Sequence, residues 1–144
     1  NHVIIANGSG IAGHVIIEDY AIVGGMSGVH QFTKIGRNAM VGGMSRIVQD
    51  VPPFVIVNGN PSFVMGLNSV GIARAGISPA NRSELKKAYK ILYRSGYSLD
   101  KAIQTMEAEL NMTAEIEHLL RWLRNVERGI CRGATRSEEQ NTTL

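Results

Sequence analysis

Two of the four histidines, His14 and His30, lie in a glycine-rich stretch beside Gly13 and Gln31. Imidazole titrates near neutrality, so such a pair suits general acid–base work or hydrogen bonding to a substrate. A satisfied surface imidazole is the plainer alternative for each. Gly13 offers a backbone N–H that no Cβ obstructs, the kind of donor that holds a developing oxyanion. It could equally mark a corner that needs a positive φ or no side chain. Arg74, in "GIARAGIS", could clamp a phosphate through its guanidinium fork or stand solvated beside a helix. Asn68 could face a polar ligand or cap a turn. A zinc site needs further ligands that no other His, Cys or paired carboxylate supplies, so no metal is expected. His2 and His118 read as structural or surface residues.

The elements that hold these groups follow from a repeat of six. Ile5, Ile11, Ile17, Val23, Val29, Ile35, Val41 and Ile47 recur at that spacing, with glycines between them. Neither the helical period of 3.6 nor the strand period of 2 sustains such a run. A three-sided coil of short strands does, with each β-branched side chain pointing inward and coils stacked about 4.8 Å apart. Residues eighteen apart should then stack: Ile5 on Val23 on Val41, Ile11 on Val29 on Ile47, and Ile17 on Ile35. His14 and His30 fall on one side of this prism in adjacent coils, and His2 on another.

The beat stops near "VQDVPPFVIVNGNPS", where Pro52 and Pro53 withhold ladder donors. Residues 54–76 read as an irregular connector. Ser78 and Pro79 then make a helix start, with Leu85, Ala88, Tyr89 and Leu92 at helical spacing and Gly96 as the stop. A second helix is expected from Ser98 and a third from Thr113 to just before Gly129. The expected division is therefore β-helix coils over 1–57, connector over 58–76, a three-helix domain over 77–132 and a disordered tail over 133–144.

The 144 residues carry a net charge of +3, and residues 1–60 balance to zero. The excess lies beyond residue 60, where twelve basic face nine acidic side chains. That mild bias suits an acidic protein or a phosphate-bearing partner, but no Lys/Arg stripe with interleaved aromatics suggests nucleic acid. The single cysteine, Cys131, excludes an intrachain disulfide, and a reducing cytoplasm is the default setting. The chain begins without Met, which reads as the C-terminal portion of something longer.

The segment "NGSGIAGHVIIEDYAIVGGMSGVHQFTKIGRNAMVGG" with the exit "QDVPPFVIVNGNP" and the helices through "YRSG" resembles the C-terminal half of bacterial acyl-carrier-protein–UDP-N-acetylglucosamine O-acyltransferases. The resemblance implies a left-handed parallel β-helix with a helical C-terminal domain, assembled as a homotrimer with sites between neighbouring prisms. It implies transfer of an (R)-3-hydroxyacyl chain from acyl carrier protein to the 3-hydroxyl of UDP-N-acetylglucosamine, the first step of lipid A biosynthesis, without a cofactor. Gly13 then matches the oxyanion donor and His14 a histidine that orients substrate. His30 and Gln31 match positions lining the acyl and nucleotide pocket. Asn68 and Arg74 match residues near the UDP-sugar and pantetheine phosphates. Met40 and Gly43 fall where the acyl tail ends, and the bare Gly43 suggests a preference for longer chains. The family's general-base histidine would precede Asn1. Ala75 stands where the family often has a second basic residue, and Val70 where an acidic one is common. Two rival readings are a related N-acyltransferase of the same fold and a binding module without catalysis.

Overall fold

A computed structural model describes residues 1–135. They form two compact units: Asn1–Asn68 with the segment from Glu127 onward, and Ser69–Val126.

The first unit is the three-sided coil. Eight two-residue strands follow one another every six residues: β1 (Ile4–Ile5), β2 (Gly10–Ile11), β3 (Ile16–Ile17), β4 (Ile22–Val23), β5 (Gly28–Val29), β6 (Lys34–Ile35), β7 (Met40–Val41) and β8 (Arg46–Ile47). β9 (Val55–Asn58) and β10 (Phe63–Leu67) complete it. Parallel ladders run β1-β4-β7-β9, β2-β5-β8 and β3-β6, one to each side of the prism, and β10 adds antiparallel to β9. The pairs Ile5↔Val23, Val23↔Val41, Ile11↔Val29, Val29↔Ile47 and Ile17↔Ile35 all form, so the eighteen-residue stacking holds throughout. Val23, Ile35, Val41, Ile47, Val51 and Val57 are fully buried in the apolar column.

Each side meets the next at a corner that uses one left-handed residue. His2, His14, Tyr20, Met26, Phe32, Asn38, Met44 and Phe54 all have φ between 54° and 68°. Left-handed backbone disfavours a Cβ by about 1–2 kcal/mol per residue. A cross-coil bond offsets this: the N–H of Met26 donates to Asn7 O, Phe32 to Gly13 O, Asn38 to Asp19 O and Met44 to Gly25 O. Gly8, with φ 77°, is the one glycine of the repeat at this corner position, and the other glycines serve a different need. A Cβ on Gly24 would lie 2.5 Å from the Gly43 nitrogen, and one on Gly36 2.4 Å from the Pro53 nitrogen. These positions are bare so that coils can approach.

The six-residue beat breaks after β8 but the coil goes on, and the irregular connector expected over 54–76 needs correction. The third coil continues through β9, with Val41 paired to Val57 and Ile35 bridged to Val51. It is two residues shorter than the others, and the deletion falls at the corner after β8. Asp50 there turns its Oδ1 toward the Lys34 N–H at 2.8 Å, replacing the carbonyl that a full coil would supply. Pro52 and Pro53 are tolerated because this corner needs only the Phe54 N–H, which donates to Arg37 O. The span 58–76 holds β10 and α1 (Ser69–Arg74). Residues 127–135 return to the prism: Asp50 bridges Ile130 and Val64 bridges Gly133. Gly133–Thr135 are thus placed outside the expected tail, whose remaining residues 136–144 lie outside the described ones.

The second unit packs α2 (Pro79–Tyr93), α3 (Leu99–Glu109) and α4 (Ala114–Arg124) beside α1. Ser78, Ser98 and Thr113 cap them, each side-chain oxygen accepting from the backbone N–H three residues on. Leu85, Ala88, Ala102, Met106, Ile116, Leu120 and Leu123 make the core. Buried Glu84 accepts from Lys87 Nζ and the Asn111 N–H, which hold its carboxyl below the usual range. α4 stops at Arg124, short of the expected Gly129, because the chain there rejoins the prism.

Candidate active site

The corner after β2 and the corner after β5 stack on one another and carry four of the predicted groups. His14 occupies the left-handed position of its corner, and Phe32 the same position one coil on. Their rings stack in parallel with centroids 4.9 Å apart. His30 lies two residues earlier in the next coil, directly above Ala12 in register. The two histidines therefore share one edge of the prism without sharing a column.

Gly13 has ordinary backbone, and the positive φ belongs to His14. A Cβ at Gly13 would meet nothing within 4 Å, so conformation and crowding do not account for the glycine. Its carbonyl accepts from Phe32, while its N–H has no hydrogen-bond partner among the described residues. The chemistry of an N–H at this place is visible elsewhere in the repeat. Arg37 occupies the same position of a later corner, and its N–H takes the Glu18 carboxylate Oε2 at 2.7 Å. This corner geometry thus presents a donor to an outside anionic oxygen.

His30 Nδ1 stands 3.2 Å from Gln31 O. A carbonyl only accepts, so Nδ1 carries the proton and Nε2 is left for a ligand. The same carbonyl takes Arg128 Nη1 at 3.1 Å, so the returning segment buttresses the corner. Beside it, the β2-β5-β8 side forms an open trough of about 470 Å³, floored by Gly10 and Gly28 and bounded by His30, Arg46 and Val48. Arg46 and Arg128 were not singled out from sequence. For Arg46 the signal was its outward phase in the hexad; Arg128 needed the unforeseen return of the chain.

The other predicted residues lie apart from this corner. Met40, 37% exposed, faces outward from β7, and Gly43 sits in the corner after it. The β7 side lies across the triangle from the His14 corner. A Cβ on Gly43 would come 3.3 Å from Gly25 O, a tight fit against the coil below. Asn68 is buried, its amide nitrogen donating to Asn38 O at 2.8 Å. Arg74 is exposed in the last turn of α1, in the helical unit. Cys131 is buried, and burial together with the Asp50 charge pushes its thiol up to about 12, which disqualifies it as a nucleophile. Among the described residues no group of three His, Cys, Asp or Glu converges to hold a metal ion, and no helix is long and apolar enough to cross a membrane.

A hexapeptide-repeat parallel β-helix followed by a compact helical unit places the chain in the class of hexapeptide-repeat β-helix proteins. Residues 50–131 match the family model described as UDP-N-acetylglucosamine O-acyltransferase, domain 2, and the chain belongs to that family. It is 45% identical over 129 residues to the acyl-[acyl-carrier-protein]–UDP-N-acetylglucosamine O-acyltransferase of Thiobacillus denitrificans, covering 90% of this chain and 50% of that one. The counterpart from Gloeothece citriformis is 50% identical over 119 residues, covering 83% and 43%. The solved UDP-N-acetylglucosamine acyltransferase of Bacteroides fragilis superposes with a TM-score of 0.89 at 36% identity, over 92% of this chain and 52% of that one. That of Moraxella catarrhalis gives 0.86 at 39%, over 90% and 51%. The coil is accordingly the left-handed β-helix of these proteins. The chain spans about half the length of the curated relatives it matches.

Proposed function

We propose that this chain is the C-terminal part of an acyltransferase that moves an (R)-3-hydroxyacyl group from acyl carrier protein to the 3-hydroxyl of UDP-N-acetylglucosamine, the first step of lipid A biosynthesis. The observation that carries this reading is the open Gly13 N–H beside His14, at a corner position whose equivalent binds a carboxylate oxygen. A base takes the proton of the sugar hydroxyl as its oxygen bonds to the thioester carbonyl. The carbonyl oxygen becomes an oxyanion held by the Gly13 N–H. The C–S bond then breaks and the pantetheine thiolate leaves, taking up a proton. In this reading the base is a histidine upstream of Asn1, one coil below Gly13, and His14 orients the hydroxyl. Arg74, exposed in α1, serves the phosphates of the nucleotide or pantetheine arm, and Asn68, buried on Asn38 O, supports that region without touching them.

Homotrimeric assembly follows from the same reading. Met40 lies on the side across the prism from His14, and Gly43 at the far corner of the β2-β5-β8 side, so Met40 lines the acyl end of the same cleft when a neighbouring copy presents it. The location is cytoplasmic, where acyl carrier protein and the nucleotide sugar are made.

The test is acyl transfer by the full-length enzyme carrying His14→Asn, with Gly13 kept. Asparagine tolerates the left-handed φ of this corner, so loss of fold and loss of chemistry separate. Turnover should fall roughly 10²-fold, as for a mispositioned reactant, with the melting temperature held. Unchanged turnover would remove His14 from the mechanism, and no transfer by the unaltered enzyme would remove the function.

A further inference from the structure

The corners of the prism share one hydrogen bond, and the corner beside His30 lacks it. Tyr20, Met26, Phe32, Asn38 and Met44 each donate their N–H to the carbonyl nineteen residues back, on Asn1, Asn7, Gly13, Asp19 and Gly25. By that rule the Gln31 carbonyl should receive the Asp50 N–H. The shortened third coil breaks the rule. Asp50 donates instead to Gly129 O at 3.0 Å, and the Cys131 N–H returns a bond to Asp50 O at 2.9 Å.

The missing donor is replaced from the segment that diverted it. Arg128, one residue before Gly129, places Nη1 3.1 Å from Gln31 O. Gly129 has a left-handed φ of 76°, which turns the chain onto the Asp50 corner directly after the arginine. An exposed side chain adds little to stability wherever it lies. This one occupies the donor position that the repeat requires and the short coil vacated.

The carbonyl belongs to the peptide that joins the candidate groups. Its N–H, on Phe32, donates to Gly13 O at 3.2 Å, and Phe32 carries the ring stacked on His14. Its oxygen faces His30 Nδ1 at 3.2 Å. A peptide is planar, so a bond at its N–H alone leaves the plane free to rock, whereas bonds at both ends fix it. Arg128 supplies the second end. The imidazole then meets one carbonyl in one place, which sets Nδ1 as the donor and leaves Nε2 as the acceptor.

We infer that Arg128 is a positioning residue for His30, acting through the Gln31 carbonyl. Its consequence for acyl transfer rests on the reading above, with His30 at the acyl and nucleotide pocket; the positioning itself does not.

The experiment reads the His30 tautomer in this chain by long-range proton–nitrogen correlation, at a pH where the ring is neutral, with its signals assigned through their loss in His30→Gln. The parent should show a protonated Nδ1 and a bare Nε2. Arg128→Met keeps the stem and removes the donors. It should give the averaged nitrogen shifts of a mixed-tautomer ring at an unchanged melting temperature, and Arg128→Lys, which keeps a charged donor, should restore the single tautomer. In the full-length enzyme Arg128→Met should raise KM for UDP-N-acetylglucosamine roughly tenfold and leave kcat in place, the signature of weakened binding in ground and transition states alike. A tautomer indifferent to Arg128→Met, or a melting temperature that falls while the tautomer holds, would overturn the inference. Averaged shifts with unchanged kinetics would uphold the positioning and remove His30 from the pocket. No transfer by the unaltered enzyme would remove the acyl-transfer function and leave the tautomer result standing.

Discussion

Replacing Ile35 with alanine should open the β-helical unit far more than any change to an outward residue of the same repeat. Ile35 is fully buried, with Ile17 in register below it and Val51 bridged above. Truncation removes three carbons, and at about 0.8 kcal/mol each the transfer loss is about 2.4 kcal/mol. The void cannot close, because Glu18 N–H to Ile35 O and Gly36 N–H to Val51 O, both 2.9 Å, hold the coils at their spacing. The residual cavity should raise the total to about 3–4 kcal/mol. Ile16, one residue from the inward Ile17, is 53% exposed, and Ile16→Ala should stay within about 0.5 kcal/mol. Native-state hydrogen exchange at the amides of β4 and β7 reads the opening free energy directly. Fluorescence of Trp122, in the helical unit, provides an internal control that should not respond at early denaturant. Comparable losses for the two variants would refute the inward–outward alternation, and the three-sided coil with it.

Gly24→Ala should destabilise the same unit by about 1–3 kcal/mol or more, since its Cβ would meet backbone of the coil above at 2.5 Å; a denaturation midpoint equal to that of the parent protein would contradict it. Asp50 is raised above the ordinary carboxylate range by burial, against the opposing pull of the Lys34 N–H. Its folded form thus holds a proton more tightly than its unfolded form, so this group adds stability as pH falls through the raised value and removes it above. Asp50→Asn should flatten that slope while keeping an acceptor for Lys34, whereas Asp50→Ala should cost about 1–3 kcal/mol at neutral pH, both read by urea unfolding between pH 4 and 7. In the full-length enzyme, longer hydroxyacyl donors should react faster than short ones, each added CH₂ in the groove contributing about 0.8 kcal/mol until Gly43 is reached. A short-chain preference measured by competing donors would defeat that assignment.

The coil was legible because a six-residue apolar period has no other physical solution. Ile11, Val29 and Ile47 stack as their spacing requires. The helix starts at Ser78, Ser98 and Thr113 were legible because capping is local chemistry. What failed was non-local. The shortened third coil depends on a side chain, Asp50, standing in for a backbone carbonyl, and no pattern in "VQDVPP" announces it. The return of residues 127–135 to the prism depends on pairing across some eighty positions, as between Asp50 and Ile130. In the site, the shared edge of His14 and His30 and their two-residue offset both follow from the period, since they stand three places after Ile11 and one after Val29; the left-handed conformation of His14 does not. The glycines of the repeat suggest corner-formers, yet of them only Gly8 takes that conformation; His14, Phe32 and their equivalents take it elsewhere, and Gly24 and Gly36 relieve crowding.

The most direct test is the nuclear Overhauser contact between the ring protons of His14 and Phe32 in this chain. Stacked rings with centroids 4.9 Å apart should give strong cross-peaks, accompanied by methyl contacts between Ile11 and Val29. Their absence, or sequential helical contacts in their place through the first fifty residues, would contradict the coil and leave Gly13 and His14 without the corner on which the proposed chemistry depends.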